Sequence, residues 1–240
     1  LRDVGIDQRL NARVPLDLQF RDESGATVAL RSYFGRRPVV LALVYYECPM
    51  LCSMVLNGLL KSLRAIQLDA GRDFEVVTVS FDPSETAELA AAKKQSYVER
   101  YGRPTGAAGW HFLTGEEEAI RKLTQAVGFR YKYDPETNQF AHASAIMVLT
   151  PDGRLARYLY GIEYAARDLR LALVEASAGK IGTAVDQVLL YCFHYDPATG
   201  RYSLLILNII RAAGAATVLA LGLFLLAMFR RDRRRKLEGV

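Results

Sequence analysis

Residues Val39 to Tyr46 read Val-Val-Leu-Ala-Leu-Val-Tyr-Tyr, an apolar run that follows Pro38 and ends at Glu47 and Cys48. A strand with water on one face alternates apolar and polar side chains. A run without alternation is buried on both faces, which places it inside a parallel or mixed sheet covered by helices. The chain must therefore supply those helices, and the strand must end at the edge where open α/β sheets hold their ligands. The segment that arrives at that edge is Cys48-Pro-Met-Leu-Cys52.

The remaining layers can be read along residues 1–180. Val14 to Leu30 has two short alternating runs around Ser24-Gly25, which predicts a β-hairpin covering one sheet edge. Met50 to Leu68 is apolar at helical spacing until Gly71, and Pro49 is tolerated in a first turn. Phe74 to Phe81 is the next strand. Asp82-Pro83-Ser84-Glu85 reads as a helix start, with Asp82 as cap and Glu85 completing a capping box, and the helix runs toward Tyr101. Trp110 to Leu113 reads as a strand, Gly115 to Val127 as a helix, and Tyr131 to Phe140 as a polar, turn-rich loop. Ser144 to Thr150 and Leu155 to Tyr160 flank the turn Pro151-Asp152-Gly153-Arg154 as a second hairpin, and a helix over Tyr164 to Ala178 closes the domain. The expected fold is α/β, with a mixed sheet flanked by helices.

The C-terminal quarter has a different character. Ala212 to Phe229 contains no charged residue, and 18 residues at about 1.5 Å each approach the thickness of a bilayer core. Leu204 to Ile210 extend the run, while Tyr191, Tyr195 and Tyr202 precede it as interfacial aromatics. Arg230, Arg231, Arg233, Arg234, Arg235 and Lys236 follow, against Asp232 and Glu238, and these account for +4 of the net +5 charge. The basic excess is thus a membrane-topology signal, and nucleic acid is not an expected partner. The expectation is a linker over 181–203, a single transmembrane helix over 204–229 and a cytoplasmic tail over 230–240. The main domain would then lie on the outer, periplasmic or equivalent face. The sequence begins at Leu1, which is consistent with a processed product.

Three cysteines are too few for a disulfide framework. Cys48 and Cys52, at i and i+4, lie on one face of a helix about one turn apart, so both sulfurs can meet one partner. The helix N-terminus favours the thiolate, and the pair can then exchange disulfides or bind a soft metal ion. Two cysteines at this spacing also occur as ordinary buried side chains, but delivery by an apolar strand to a helix start is the arrangement of reactive thiols. His142 directly precedes the strand of the second hairpin, and the chain there can lie beside the first strand's C-terminal end. Two thiolates and an imidazole suit Cu(I) and tolerate Cu(II), whereas structural zinc takes a fourth ligand.

Other candidates are weaker. Met50 and Met54 are thioethers near the cysteines, with core packing an equal account of Met54. Cys192 and His194 would share one side of an extended segment. His111, beside Trp110, is read as structural. Phosphate-binding loops, nucleophile elbows and H-E-x-x-H are absent from the sequence.

Over residues 14–178 the chain resembles the Sco/SenC copper proteins required for assembling cytochrome c oxidase. The resemblance rests on the apolar strand into Cys48-x-x-x-Cys52, on Val79-Ser80-Phe81-Asp82-Pro83, and on a histidine ninety residues after the second cysteine, before a strand and Thr150-Pro-Asp-Gly153. It implies a thioredoxin-like fold and a copper ion bound by Cys48, Cys52 and His142. It further implies delivery of copper to an oxidase subunit or another copper chaperone, or reduction of the oxidase's copper-site cysteines by a redox-active Cys48/Cys52 pair. Asp82 matches a family carboxylate near the site. Ser53 replaces a common proline, Met50 a common acidic residue, and the anchor is C-terminal rather than N-terminal.

Overall fold

A computed structural model describes residues 4–48 and 50–181, together with residues 195–196, 201–202, 214, 217–218, 221–222 and 228. The elements are β1 (Gly5–Ile6), β2 (Gln19–Arg21), β3 (Thr27–Ala29), β4 (Val39–Val44), α1 (Leu51–Ala65), β5 (Glu75–Ser80), α2 (Ala87–Tyr101), α3 (Gly106–Gly109), β6 (Trp110–Leu113), α4 (Glu117–Ala126), β7 (Phe129–Asp134), β8 (Gln139–His142), β9 (Ala145–Leu149), β10 (Leu155–Tyr160) and α5 (Ala166–Ser177). The central sheet has the order β10-β9-β4-β5-β6, in which β4, β5 and β6 are parallel and β9 runs antiparallel to both β4 and β10. This is the expected mixed α/β sheet of thioredoxin-like type.

All six residues of β4 are buried, as an apolar run without alternation requires. The strand sits between β9 and β5, so its main chain is paired on both sides while helices cover the sheet. Along α1 the buried apolar side chains are Cys52, Val55, Leu56, Leu59, Leu60 and Leu63, the i, i+3, i+4 stripe of a helix facing a core, with Gly58 and Ser62 buried beside them. At Gly58 the helix comes so close to the chain leading into α5 that an added Cβ would lie 1.8 Å from the Ile162 carbonyl oxygen. The hairpin β2–β3 forms around Gly25, whose φ of +83° suits a residue without a Cβ.

Two expectations are corrected. The residues expected as a loop from Tyr131 to Phe140 form most of the antiparallel hairpin β7–β8, with Tyr131 opposite His142 and Tyr133 opposite Phe140. Cross-strand packing of the Tyr131 and Tyr133 rings on Phe140 stabilises it, Phe129 packs on Tyr131 along the same strand, and β1 adds a third strand. The second correction concerns the start of α2. Asp82 does not cap it; its carboxylate accepts from the Ser84 N–H at 2.8 Å and the Ser84 hydroxyl at 2.6 Å, closing a local turn. The cap is Thr86, which accepts from the Leu89 N–H, and Glu85 turns inward.

The chain divides into two compact units, residues 1–182 and 183–240. In the second, β11 (Tyr195–Asp196) and β12 (Arg201–Tyr202) pair antiparallel. The span expected over 204–229 lies outside the described residues apart from positions 214, 217, 218, 221, 222 and 228, as do the whole of the basic tail 230–240 and both Cys192 and His194. Among the described residues no helix is long and apolar enough to cross a membrane.

The contact at Gly58 generates a stability prediction. Gly58→Ala forces α1 away from Ile162 and should lower unfolding free energy by about 1–3 kcal/mol or more, read from the midpoint of denaturant unfolding. An unchanged midpoint would contradict this packing.

Candidate metal and thiol centre

The site forms where β4 ends. Tyr45 to Met50 turn the chain into α1, with Cys48 in that turn and Cys52 in the helix's first turn. The Cys52 N–H donates to Cys48 Sγ at 3.3 Å, and the Tyr45 N–H donates to Cys52 Sγ at the same distance. A main-chain donor of the first helical turn therefore faces Cys48 Sγ, the arrangement that favours thiolate character there, while Cys52 Sγ meets an N–H just past the end of β4. Cys48 and Cys52 are free thiols, 8% and 1% exposed.

His142 reaches them through topology. Because β9 runs antiparallel to β4, with Ala42 opposite Ile146, the start of β9 lies beside the end of β4. The last residue of β8 is three positions upstream of Ala145, and its Nε2 lies 3.3 Å from Cys52 Sγ. Its Nδ1 donates to the Ala143 carbonyl at 2.9 Å, which leaves the Nε2 lone pair facing the sulfurs. Tyr45, Phe81 and Phe129 pack their rings around the imidazole at centroid distances of 6.0, 5.2 and 6.2 Å. The two sulfurs and one ring nitrogen all lie within 4.8 Å of one another, a group that can hold a metal ion.

The two thiols are not equivalent. Burial opposes ionisation of Cys48, but the Cys52 and Met50 N–H groups, with the Tyr45 hydroxyl and Cys52, outweigh it and hold this thiol below its ordinary value. Burial pushes Cys52 well above it, the Tyr45 N–H offsets part of that, and negative charge on Cys48 adds to the rise. Burial also holds His142 below the ordinary imidazole value, with its bond to Ala143 acting the other way, so the neutral ligand form prevails near neutral pH. A soft cation reverses the thiol penalty, because it supplies the charge that buried sulfur lacks.

Not every candidate joins the site. Asp82 is occupied with Ser84. His111 packs against Tyr33 at 4.4 Å with its Nε2 3.4 Å from Glu75, at the start of β5, the other end of the sheet from the thiols. Met50 is 67% and Met54 40% exposed, so core packing does not account for Met54. One participant was not anticipated. Glu85 accepts from the Tyr46 and Glu47 N–H groups, directly ahead of Cys48. Its position after Asp82-Pro83-Ser84 reads locally as a helix start, and only the neighbouring β4 turn reveals its role.

Comparison with known proteins agrees with this geometry. No curated protein matches the chain. Among solved structures, a candidate electron transfer protein from Aquifex aeolicus VF5 is 28% identical, covering 74% of this chain and 98% of its own, with a TM-score of 0.63. The fold is also that of Arabidopsis thaliana ScoI, solved with copper bound, at 18% identity, 71% and 99% coverage and a TM-score of 0.55. BsSco, described as having a disulfide switch and as a member of the Sco family of cytochrome c oxidase assembly proteins, is 22% identical over 73% of this chain and 99% of its own, with a TM-score of 0.55. The SCO1/SenC family model matches residues 7–173, which include both cysteines, the histidine and every strand of the central sheet, and the chain therefore belongs to the SCO1/SenC family.

Proposed function

We propose that the protein is a copper metallochaperone that binds Cu(I), and tolerates Cu(II), through Cys48, Cys52 and His142 and assists assembly of a copper centre of cytochrome c oxidase. The observation that carries this reading is the convergence of two sulfurs and a neutral imidazole nitrogen within 4.8 Å. Soft thiolates with one imidazole are a donor set for Cu(I), and three ligands fall short of the four that structural zinc takes. Copper bound to the Arabidopsis ScoI and the oxidase-assembly role of the family of BsSco support it. The partners are then an oxidase subunit carrying a copper site, or another copper chaperone.

A second reading is favoured by the approach of Cys52 to Cys48 and by the disulfide switch described for BsSco. In it the protein reduces the cysteines of a partner's copper site. The Cys48 thiolate attacks the partner disulfide and forms a mixed disulfide. Cys52 then attacks Cys48 Sγ, two electrons pass to the partner, and the partner leaves as a dithiol while Cys48–Cys52 closes.

The membrane anchor over 204–229 belongs to the same proposal. It rests on the apolar run and its basic flank. It holds the copper domain on the outer face of the membrane, with the C-terminus cytoplasmic, beside an embedded oxidase.

Anaerobic Cu(I) titration of the reduced protein should end at one copper per chain. His142→Ala should weaken binding by at least about tenfold, roughly 1.4 kcal/mol, while keeping dithiol exchange with glutathione. A stoichiometry of zero, or an affinity indifferent to His142, would sink the metal assignment and favour the redox reading. For the anchor, the full chain should stay in the membrane fraction through an alkaline carbonate wash, and a chain ending at residue 203 should be released. Release of both would contradict the span.

A further inference from the structure

The turn between β4 and α1 presents consecutive main-chain N–H groups to the protein interior. Tyr45 donates to Cys52 Sγ at 3.3 Å, Tyr46 to Glu85 Oε2 at 2.8 Å, Glu47 to Glu85 Oε1 at 2.7 Å, and Cys48 back to the Tyr45 carbonyl at 3.3 Å. Glu85 thus meets the middle two with one oxygen each. Its residue is only 9% exposed, and Oε2 also accepts from the Ser80 hydroxyl at 2.5 Å. Ser80 is held in turn, because its Oγ accepts the Asp82 N–H at 3.1 Å.

A buried N–H without an acceptor costs about 1–3 kcal/mol, so two in succession would drive this turn into another shape. A neutral side chain with one acceptor atom meets only one of them. Among the described residues Glu85 has no hydrogen bond to the sulfurs or the imidazole, and its charge adds only to the rise at Cys52, yet the peptide units it holds are those that deliver Cys48 and aim the Tyr45 N–H at Cys52. Shells of this kind orient metal ligands, and their loss commonly weakens metal binding by about 10–100-fold.

We infer that Glu85 is a positioning residue of the dithiol–imidazole site, clamping the Tyr46 and Glu47 main chain so that Cys48 and Cys52 hold the approach a soft metal ion or a disulfide needs. Ser80 fixes the clamp from behind. One of the two readouts below rests on the copper proposal; the other is independent of it.

Glu85→Gln keeps the side chain's size but replaces one acceptor oxygen with an NH2 group that opposes an N–H. Competition against a chromogenic Cu(I) chelator should show affinity falling by about 10–100-fold. In the metal-free protein, the equilibrium constant for closing Cys48–Cys52 against glutathione should fall at least about tenfold, because the sulfurs lose their fixed approach. Tyr101→Phe serves as the stability control: it removes the acceptor of the Ala70 N–H, at 3.1 Å, near the start of β5 and away from Ser80. It should lower the unfolding midpoint and move neither readout. Unchanged values in Glu85→Gln, or equal losses in Tyr101→Phe, would overturn the inference. If wild type binds no Cu(I), the copper reading fails alone and the disulfide equilibrium decides. Should Glu85→Gln not fold, Ser80→Ala decides, with a loss of about two- to tenfold expected and no loss contradicting the inference.

Discussion

The ladder between β4 and β9, from Val39 opposite Leu149 to Ala42 opposite Ile146, is the contact on which the rest of the site depends. Antiparallel pairing brings the beginning of one strand to the end of the other, so the chain entering β9 passes the turn that carries the cysteines. A parallel partner in that place would put the beginning of β9 at the opposite end of the sheet and His142 with it. The sheet thereby converts a separation of ninety residues into a 3.3 Å approach between Cys52 Sγ and His142 Nε2. The parallel neighbour β5 does corresponding work on the other side of β4. It ends beside Val44 and supplies Ser80, the Phe81 ring against His142, and the turn that sends Glu85 inward.

The chemistry follows from what that arrangement removes from water. Cys52 is almost wholly buried, so its thiolate is costly without a cation, whereas Cys48 meets helix N-terminal donors and ionises more easily. His142 is kept neutral by burial and aimed by Ala143. Two thiols, one primed and one waiting, beside a preset nitrogen lone pair suit a metal that is acquired and released. The same asymmetry suits an attacking and a resolving thiol, which is why copper handling and disulfide exchange are neighbouring uses of one geometry.

Much of this was legible in the residues. The non-alternating run of β4, the helical stripe of α1 and the Thr150-Pro-Asp-Gly153 turn each carry their structure in short-range pattern, and the reactive pair follows from where β4 must end. His142 was different, since a single histidine has no local signature and its place depended on resemblance and strand order. Two errors have definite physical origins, and one open alternative could have been closed. The β7–β8 hairpin looked like a loop because Arg130, Lys132 and Asp134 dilute it, although Phe129, Tyr131 and Tyr133 alternate with them at the strand period. Glu85 satisfied the capping-box spacing, and only a partner 39 positions away, Tyr46, shows that it faces inward. Met54 falls off the stripe formed by Val55, Leu59 and Leu63, so its exposure was readable from helical geometry.

The central claim is that one copper ion is held by these three side chains together. X-ray absorption at the copper edge of the Cu(I)-loaded, reduced protein tests it most directly. The account predicts a first shell of two sulfur scatterers and one nitrogen scatterer with imidazole outer-shell features, and loss of those features in His142→Ala. A shell of sulfur alone, or one unaltered by removing His142, would contradict it.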